Sequence, residues 1–367
     1  MSPADSAAHP SAVHRILASC FHSLCAAFSA AEARIGGTDR SSALAGHTVR
    51  VRSVGMHLDA ALAAAWAHMA AGSAYATRPA LEILAWDEAE SGVPAPELPW
   101  SWADLSGTVR LVLPPGGEAY RVHAYEEAAM FFLYSVTENK AVFWTRDARR
   151  LPTFFRAAPF LTLVHWWAQT RGLRLVHAAA VGTDAGAALI AGKGGSGKST
   201  TALVCVLAGM QFLSDDFCLV QAGEPALVHC LNSSGKLQRG HFQRFPALAA
   251  RAVDPVPDGF DKPLIFVHEH FPAQVQRRLP LRAVVLPQVT GGDTTSWEPV
   301  SPATALRSLT SSTMFQFAPH DAAAFRDLAA VLRGLPCFRL LLGTRPEQIA
   351  AAVKDILTSA PSGRARP

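Results

Sequence analysis

Eight consecutive residues in the middle of the chain could do chemistry: Gly192-Lys193-Gly194-Gly195-Ser196-Gly197-Lys198-Ser199. They match G-x-x-x-x-G-K-[ST], a loop whose backbone N–H groups converge on phosphate oxygens at a helix N-terminus. An apolar run, Ala187–Ala191, precedes the loop and an apolar helical pattern follows it. Chance on composition alone gives about 0.004 such matches in a chain of this make-up. In this reading Lys198 reaches the β- and γ-phosphates and the Ser199 hydroxyl binds Mg²⁺. The nucleotide contacts are then Gly192, Gly194, Gly195, Ser196, Gly197, Lys198, Ser199 and Thr200. The same glycines also fit the dinucleotide fingerprint G-x-G-x-x-G, with Asp215 and Asp216 placed 18 and 19 residues past Gly197. That fold gives Lys198 and Ser199 no task, so it stands second.

Asp215-Asp216 follows the short strand pattern of Gln211–Leu213. Adjacent carboxylates raise each other's pKa and are costly to bury without a cation. A Mg²⁺-nucleotide supplies one, leaving one carboxylate for the metal and the other to accept a hydroxyl proton. His177 lies on an apolar strand pattern, Leu173–Val181, where a lone histidine ordinarily packs. From there it could also orient the acidic pair. The chain has only six lysines, and four fall between residues 193 and 262. Lys236, in Ser233-Ser234-Gly235-Lys236, could bring a cation to the transferred phosphate or the acceptor; Arg239 and Lys262 are weaker candidates.

The elements that must position these groups form an α/β pattern. From Pro152 to about Thr170 the pattern is helical. Strands follow over 173–181 and 187–191, then a helix over 198–208 and strands at 211–213, 217–221, 264–268, 282–289 and 337–342. Helices are expected to start near Pro302, Asp321 and Pro346. Before this core, runs at 81–86, 109–113, 120–125, 130–136 and 141–145 alternate with turns such as Pro114-Pro115-Gly116-Gly117. They read as an antiparallel accessory region. Short helical patterns near 16–28 and 58–71 precede it. The expected division is a helical leader over 1–45, a β-rich accessory domain over 46–150, a catalytic domain over 151–357 and a frayed tail over 358–367.

Composition bounds the function classes. Half of the 367 residues are hydrophobic and 17% are charged, which excludes a disordered chain. A net charge of +4, without blocks of like charge, offers nucleic acid no footprint. Six scattered cysteines form no C-x-x-C pair, and the first residues lack a basic signal region. The 58–71 stretch is too short to span a bilayer. A soluble cytoplasmic protein, bound neither to nucleic acid nor to membrane, is expected. His268-Glu269-His270 lacks the i, i+4 spacing of a zinc protease helix and reads as a strand face.

His177-Ala-Ala-Ala-Val181, the Gly192–Thr201 loop and Gly209-Met-Gln-Phe-Leu-Ser-Asp215-Asp216 together resemble the HPr serine kinase/phosphorylase-like superfamily. The nucleotide domain of that superfamily is related to phosphoenolpyruvate carboxykinase. Further stretches, around Lys236, Lys262, Leu281–Leu286 and Leu335–Leu340, resemble bacterial serine kinase relatives, including kinases of ribosomal peptide clusters; the likeness covers about residues 170–345. It implies a P-loop kinase core with a mixed sheet flanked by helices, joined to an N-terminal β-rich, α+β accessory domain. It implies a kinase using ATP and Mg²⁺ on the Ser or Thr hydroxyl of a peptide or protein, and, as many relatives assemble, a homo-oligomer. By position, Asp215 is the base, Asp216 and Ser199 serve the metal, and Lys198 and His177 complete the catalytic set. The glycine- and glutamate-rich signature of true HPr kinase/phosphorylases does not follow the acidic pair, so HPr and the reverse reaction are not implied. A small-molecule hydroxyl kinase, a nucleotide-binding ATPase or regulator, and a dinucleotide oxidoreductase are the alternatives.

Overall fold

The computed structural model describes residues 10–70, 78–99, 119–241, 243–253, 262–314 and 322–360. The strand expected at 109–113, the turn at 114–117, the helix start at Asp321 and the last tail residues lie outside the described residues. The chain forms two compact units: Met1–Ala63 with Ala70–Pro152, and Ala64–Met69 with Thr153–Pro367.

The first unit contains α1 (Pro10–Ile35), β1 (Thr38–Leu44), β2 (His47–Val54), most of α2 (Met56–Trp66, which passes to the second unit at Ala64), β3 (Leu81–Asp87), α3 (Glu88–Ser91), β4 (Tyr120–Tyr125), β5 (Met130–Ser135) and β6 (Lys140–Thr145). Its sheet runs β1-β2-β3-β6-β5-β4. It is mixed, which corrects the antiparallel expectation. β3 pairs parallel with both β2 and β6; α2 between β2 and β3 lets the chain return in the direction of β2, and the antiparallel β4–β5 and β5–β6 hairpins then set the direction of β6. The β1–β2 hairpin, which the sequence reading missed, turns on Ala45 and Gly46, both at positive φ. α1 and β1, set apart above as a leader, belong to this same unit. α1 is long and apolar enough to cross a membrane by length and composition. Its Leu17, Phe21, Leu24 and Phe28 nevertheless pack with Leu84, Trp86 and Phe131 in this unit's core.

The second unit opens with two helices, α4 (Thr153–Ala157) and α5 (Leu161–Gln169), in place of the single helical stretch expected. The break falls at Phe160, whose φ of 57° is left-handed. There follow β7 (Leu173–Val176), β8 (Ala178–Thr183), β9 (Gly186–Ala191), α6 (Lys198–Leu207), β10 (Gln211–Ser214), β11 (Cys218–Gln221), β12 (Leu227–Cys230), β13 (Ser234–Lys236), α7 (Pro246–Ala249), β14 (Leu264–Phe266), α8 (Val267–His270), β15 (Arg278–Val289), β16 (Ser296–Val300), α9 (Pro302–Met314), α10 (Ala322–Leu332), β17 (Cys337–Leu342) and α11 (Pro346–Ser359). His268-Glu269-His270 is therefore a short helical turn and not a strand face. Thr358 and Ser359 end α11, so the tail starts later than expected.

The large sheet runs β10-β8-β9-β15-β12-β11-β7, with β17 on β15 and β16 on β17. β15 is long enough to serve two neighbourhoods. Its first residues pair with β12 and the rest pair parallel with β9 and β17. Alternate residues of β8, β9 and β15 face opposite layers. Ala179, Val181, Ile190 and Val285 pack against α6 and α11, while Ala178, Ala180, Leu189 and Val284 pack against α9 and α10. The result is a mixed α/β fold with helices on both faces of the sheet. β9 is buried along its whole length, so the loop leaving its end is anchored in the core.

Phe212 is fully buried between sheet and helices. Phe212→Ala is expected to cost the second unit about 3–5 kcal/mol of unfolding free energy, read from urea titrations of both proteins.

Candidate active site

The Gly192–Gly197 loop joins the buried end of β9 to the first turn of α6. Gly197 caps that helix at φ 106°, and a Cβ there would lie 2.4 Å from Leu342 Cδ1, so only glycine closes the turn. No side chain caps α6. Its first N–H groups, at the positive end of the helix dipole, are left to an external acceptor. A Cβ at Gly194 or Gly195 would meet nothing within 4 Å, which marks the open side of the loop. Lys198, 7% exposed, folds back so that Nζ donates to Gly192 O at 2.7 Å. Burial lowers its pKa, against the pull of Asp216 and Asp215. The buried Ser196 Oγ has no hydrogen-bond partner.

The acidic pair is placed by a kinked ribbon. β7 pairs antiparallel with β11 and β8 with β10, and Cys218 opposite Val176 continues the register of Ser214 opposite Ala180. Both strands of the ribbon break at the same level. One break holds His177 and the other holds Asp215, Asp216 and Phe217. The single strand expected over 173–181 is thus two, and the histidine sits in the gap. The Ser214 hydroxyl donates to Phe217 O at 2.7 Å and closes the acidic turn. Phe217 stacks on the His177 ring with centroids 5.0 Å apart. The His177 amide donates to Thr313 Oγ1 at 3.1 Å, and the ring Nδ1 lies 3.2 Å from Ser312 O.

Asp216 is gripped on both oxygens. His177 Nε2 lies 3.0 Å from Oδ1, and Lys236 Nζ donates to Oδ2 at 2.5 Å. Burial by itself pushes this carboxyl up, yet Lys236 and His177 together hold it well below the usual carboxylate range. Asp215 is different. It is 1% exposed, and its Oδ2 accepts the Lys236 backbone N–H at 2.7 Å. Its Oδ1 is buried without a hydrogen-bond partner. Desolvation, then the neighbouring Asp216, push its pKa up to about 6, with Ser199 and Lys236 opposing.

The structure thus gathers the glycine loop, Lys198, Ser199, His177, Asp215, Asp216 and Lys236. Lys262 is exposed and acts on Lys198 only through its charge. Arg239 is exposed on the short 3₁₀ turn Arg239–His241. The last residue of that turn brings Nδ1 within 3.5 Å of Thr200 Oγ1. Sequence reasoning missed His241, Phe217, Ser312 and Thr313. Phe217 carried a signal as the residue after the acids; the others are joined to the site only by folding. Among the described residues no group of three His, Cys, Asp or Glu could hold a metal unaided. The Ser199 hydroxyl and the Asp216 carboxylate, beside an open amide loop, are hard oxygen donors that fit a divalent cation completing its oxygen shell from a bound phosphate.

No family model matches the chain, and no curated protein matches it. Among solved structures it is similar to the Hpr(Ser) kinase/phosphatase from Coxiella burnetii. The match has 14% identity over 50% of this chain and 95% of that one, with a TM-score of 0.29. A likeness this loose carries no function by itself.

The raised pKa of Asp215 has a stability consequence. An unfolded aspartate titrates near 4, so between about pH 4 and 6 the folded chain binds more protons at this site than the unfolded chain. Its contribution to stability therefore falls as pH rises through that window and stays low above it. Asp215→Asn is expected to gain about 2 kcal/mol over wild type at pH 8 and little at pH 4, read from urea titrations at the two pH values.

Proposed function

We propose that the second unit is a phosphotransferase that uses Mg-ATP to phosphorylate a hydroxyl, with Ser or Thr of a peptide or protein as the acceptor. The observation that carries this reading is Asp215: a buried carboxylate with one oxygen unfilled, near neutral in pKa, beside a lysine-headed glycine loop. An acceptor O–H is the donor that the free Oδ1 lacks, and a base that titrates near the working pH transfers protons most effectively. The loop amides and Lys198 would hold the phosphates, with Gly192, Gly194, Gly195, Ser196, Gly197, Ser199 and Thr200 lining that cradle. Ser199 and Asp216 would hold Mg²⁺, which when bound neutralises phosphate charge. His177 orients Asp216. The hydroxyl proton passes to Asp215 as the oxygen bonds to the γ-phosphorus; the bond to the bridging oxygen breaks and ADP leaves.

The choice of acceptor rests on the resemblance of residues 170–345 to serine kinases, and a small hydroxyl metabolite would be served by the same groups. The dinucleotide reading is disfavoured by topology. There the ribose-binding acid ends a strand adjacent and parallel to the one before the loop. Here antiparallel β8 lies between β9 and β10.

The test incubates wild type, Lys198→Ala and Asp215→Asn with γ-labelled ATP, Mg²⁺ and fractionated lysate of the source cells. Label is expected in the peptide or protein fraction with wild type, reduced at least about a hundredfold in both variants. Label confined to metabolites would reassign the acceptor. ATP hydrolysis without labelling, or no turnover at all, would overturn the transferase reading.

A further inference from the structure

Lys236 does two things at once, and the function above uses neither. Its backbone N–H binds Asp215 Oδ2 and its ammonium binds Asp216 Oδ2, so one residue clamps both carboxylates. The clamp is placed by the fold. β13 pairs with β14, Lys236 opposite Leu264, and runs tight against α6. A Cβ on the preceding Gly235 would lie 2.8 Å from Leu203 Cδ2 of that helix. The ammonium is mostly buried, at 18% side-chain exposure, so water does little to screen it.

A divalent cation on Asp216 would need the same ground. His177 occupies Oδ1 and Lys236 occupies Oδ2. A Mg²⁺ ion bonded to Oδ2 at about 2 Å would sit against an ammonium whose nitrogen lies 2.5 Å from that oxygen. Two cations at that separation repel strongly in a partly desolvated pocket. One must leave.

We propose that Lys236 is the built-in counter-ion of the acidic pair, and that it competes with a divalent cation for Asp216. This rests on the reading of Asp216 as the metal-linked carboxylate. In the nucleotide-free chain the lysine offsets the charge of Asp216 beside Asp215 and blocks free metal. Metal enters together with a nucleotide, whose phosphate oxygens supply the missing ligands and whose negative charge receives the displaced ammonium. The site would thereby take Mg-nucleotide in preference to bare Mg²⁺.

The test is Mn²⁺ binding to the full-length chain without nucleotide, followed by calorimetry and by loss of the free-Mn²⁺ paramagnetic signal. Lys236→Met and Lys236→Gln are expected to bind Mn²⁺ at least tenfold more tightly than wild type. Lys236→Arg should match wild type, and adding Asp216→Asn to Lys236→Met should abolish the gain. Lys236→Gln keeps an amide donor near Asp216 and carries the measurement where Lys236→Met does not fold. Neutral variants that bind Mn²⁺ no better than wild type would overturn the proposal, as would a gain that survives Asp216→Asn. Phosphate transfer by wild type, measured in parallel, separates the two ideas. Transfer without tighter Mn²⁺ binding sinks the counter-ion alone, whereas tighter binding without transfer sinks the kinase alone.

Discussion

Two neighbouring carboxylates set into a largely desolvated turn repel each other, and the second unit is organised around that electrostatic cost. Left alone, Asp215 and Asp216 would both be driven towards the protonated form. The fold answers asymmetrically. Asp216 receives a histidine and an ammonium and stays charged, while burial and Asp216 push Asp215 towards neutrality against the weaker pull of Ser199 and the Lys236 backbone N–H. Two chemically identical residues thereby acquire opposite protonation tendencies through environment alone.

The asymmetry depends on backbone architecture. The kink shared by β7–β8 and β10–β11 brings His177 and the acids to one level, and the Phe217 stack and the Ser214 bond to Phe217 O stiffen that turn. Lys236 arrives from another direction, on a strand that approaches α6 only because residue 235 is glycine. On the other side Gly197 lets α6 start where the loop ends. The unpartnered Ser196 and Asp215 atoms fit this picture: polar atoms buried without partners are costly and tend to mark places built to receive something.

Some of this was legible before folding. The glycine loop announces itself because each of its residue types has a separate physical job, and strand and helix patterns flank it. The Asp215-Asp216 pair is conspicuous because adjacent acids are costly to bury without a cation. Strands with strong apolar runs, such as β3, β9 and β17, were readable from period and length. Short strands were not. β12, β13 and β16 are three to five residues long, and the partners of β13 and β16 lie about 30 to 40 residues further on, so little that is local singles them out. The first unit's sheet was misread as antiparallel because strand direction follows from connections, which a run of apolar residues does not reveal.

The sequence by itself determined the chemical inventory: a glycine-rich loop, a lysine at its end, two acids and a histidine upstream. Those are properties of residue type and short spacing, set by local sterics and charge. Tertiary structure alone decided that Lys236, twenty residues on, clamps both acids, that His177 faces Asp216, and that Asp215 keeps one oxygen free. The reason is that burial and ion pairing depend on separations through space of a few ångströms, and the chain sets those only when distant strands meet.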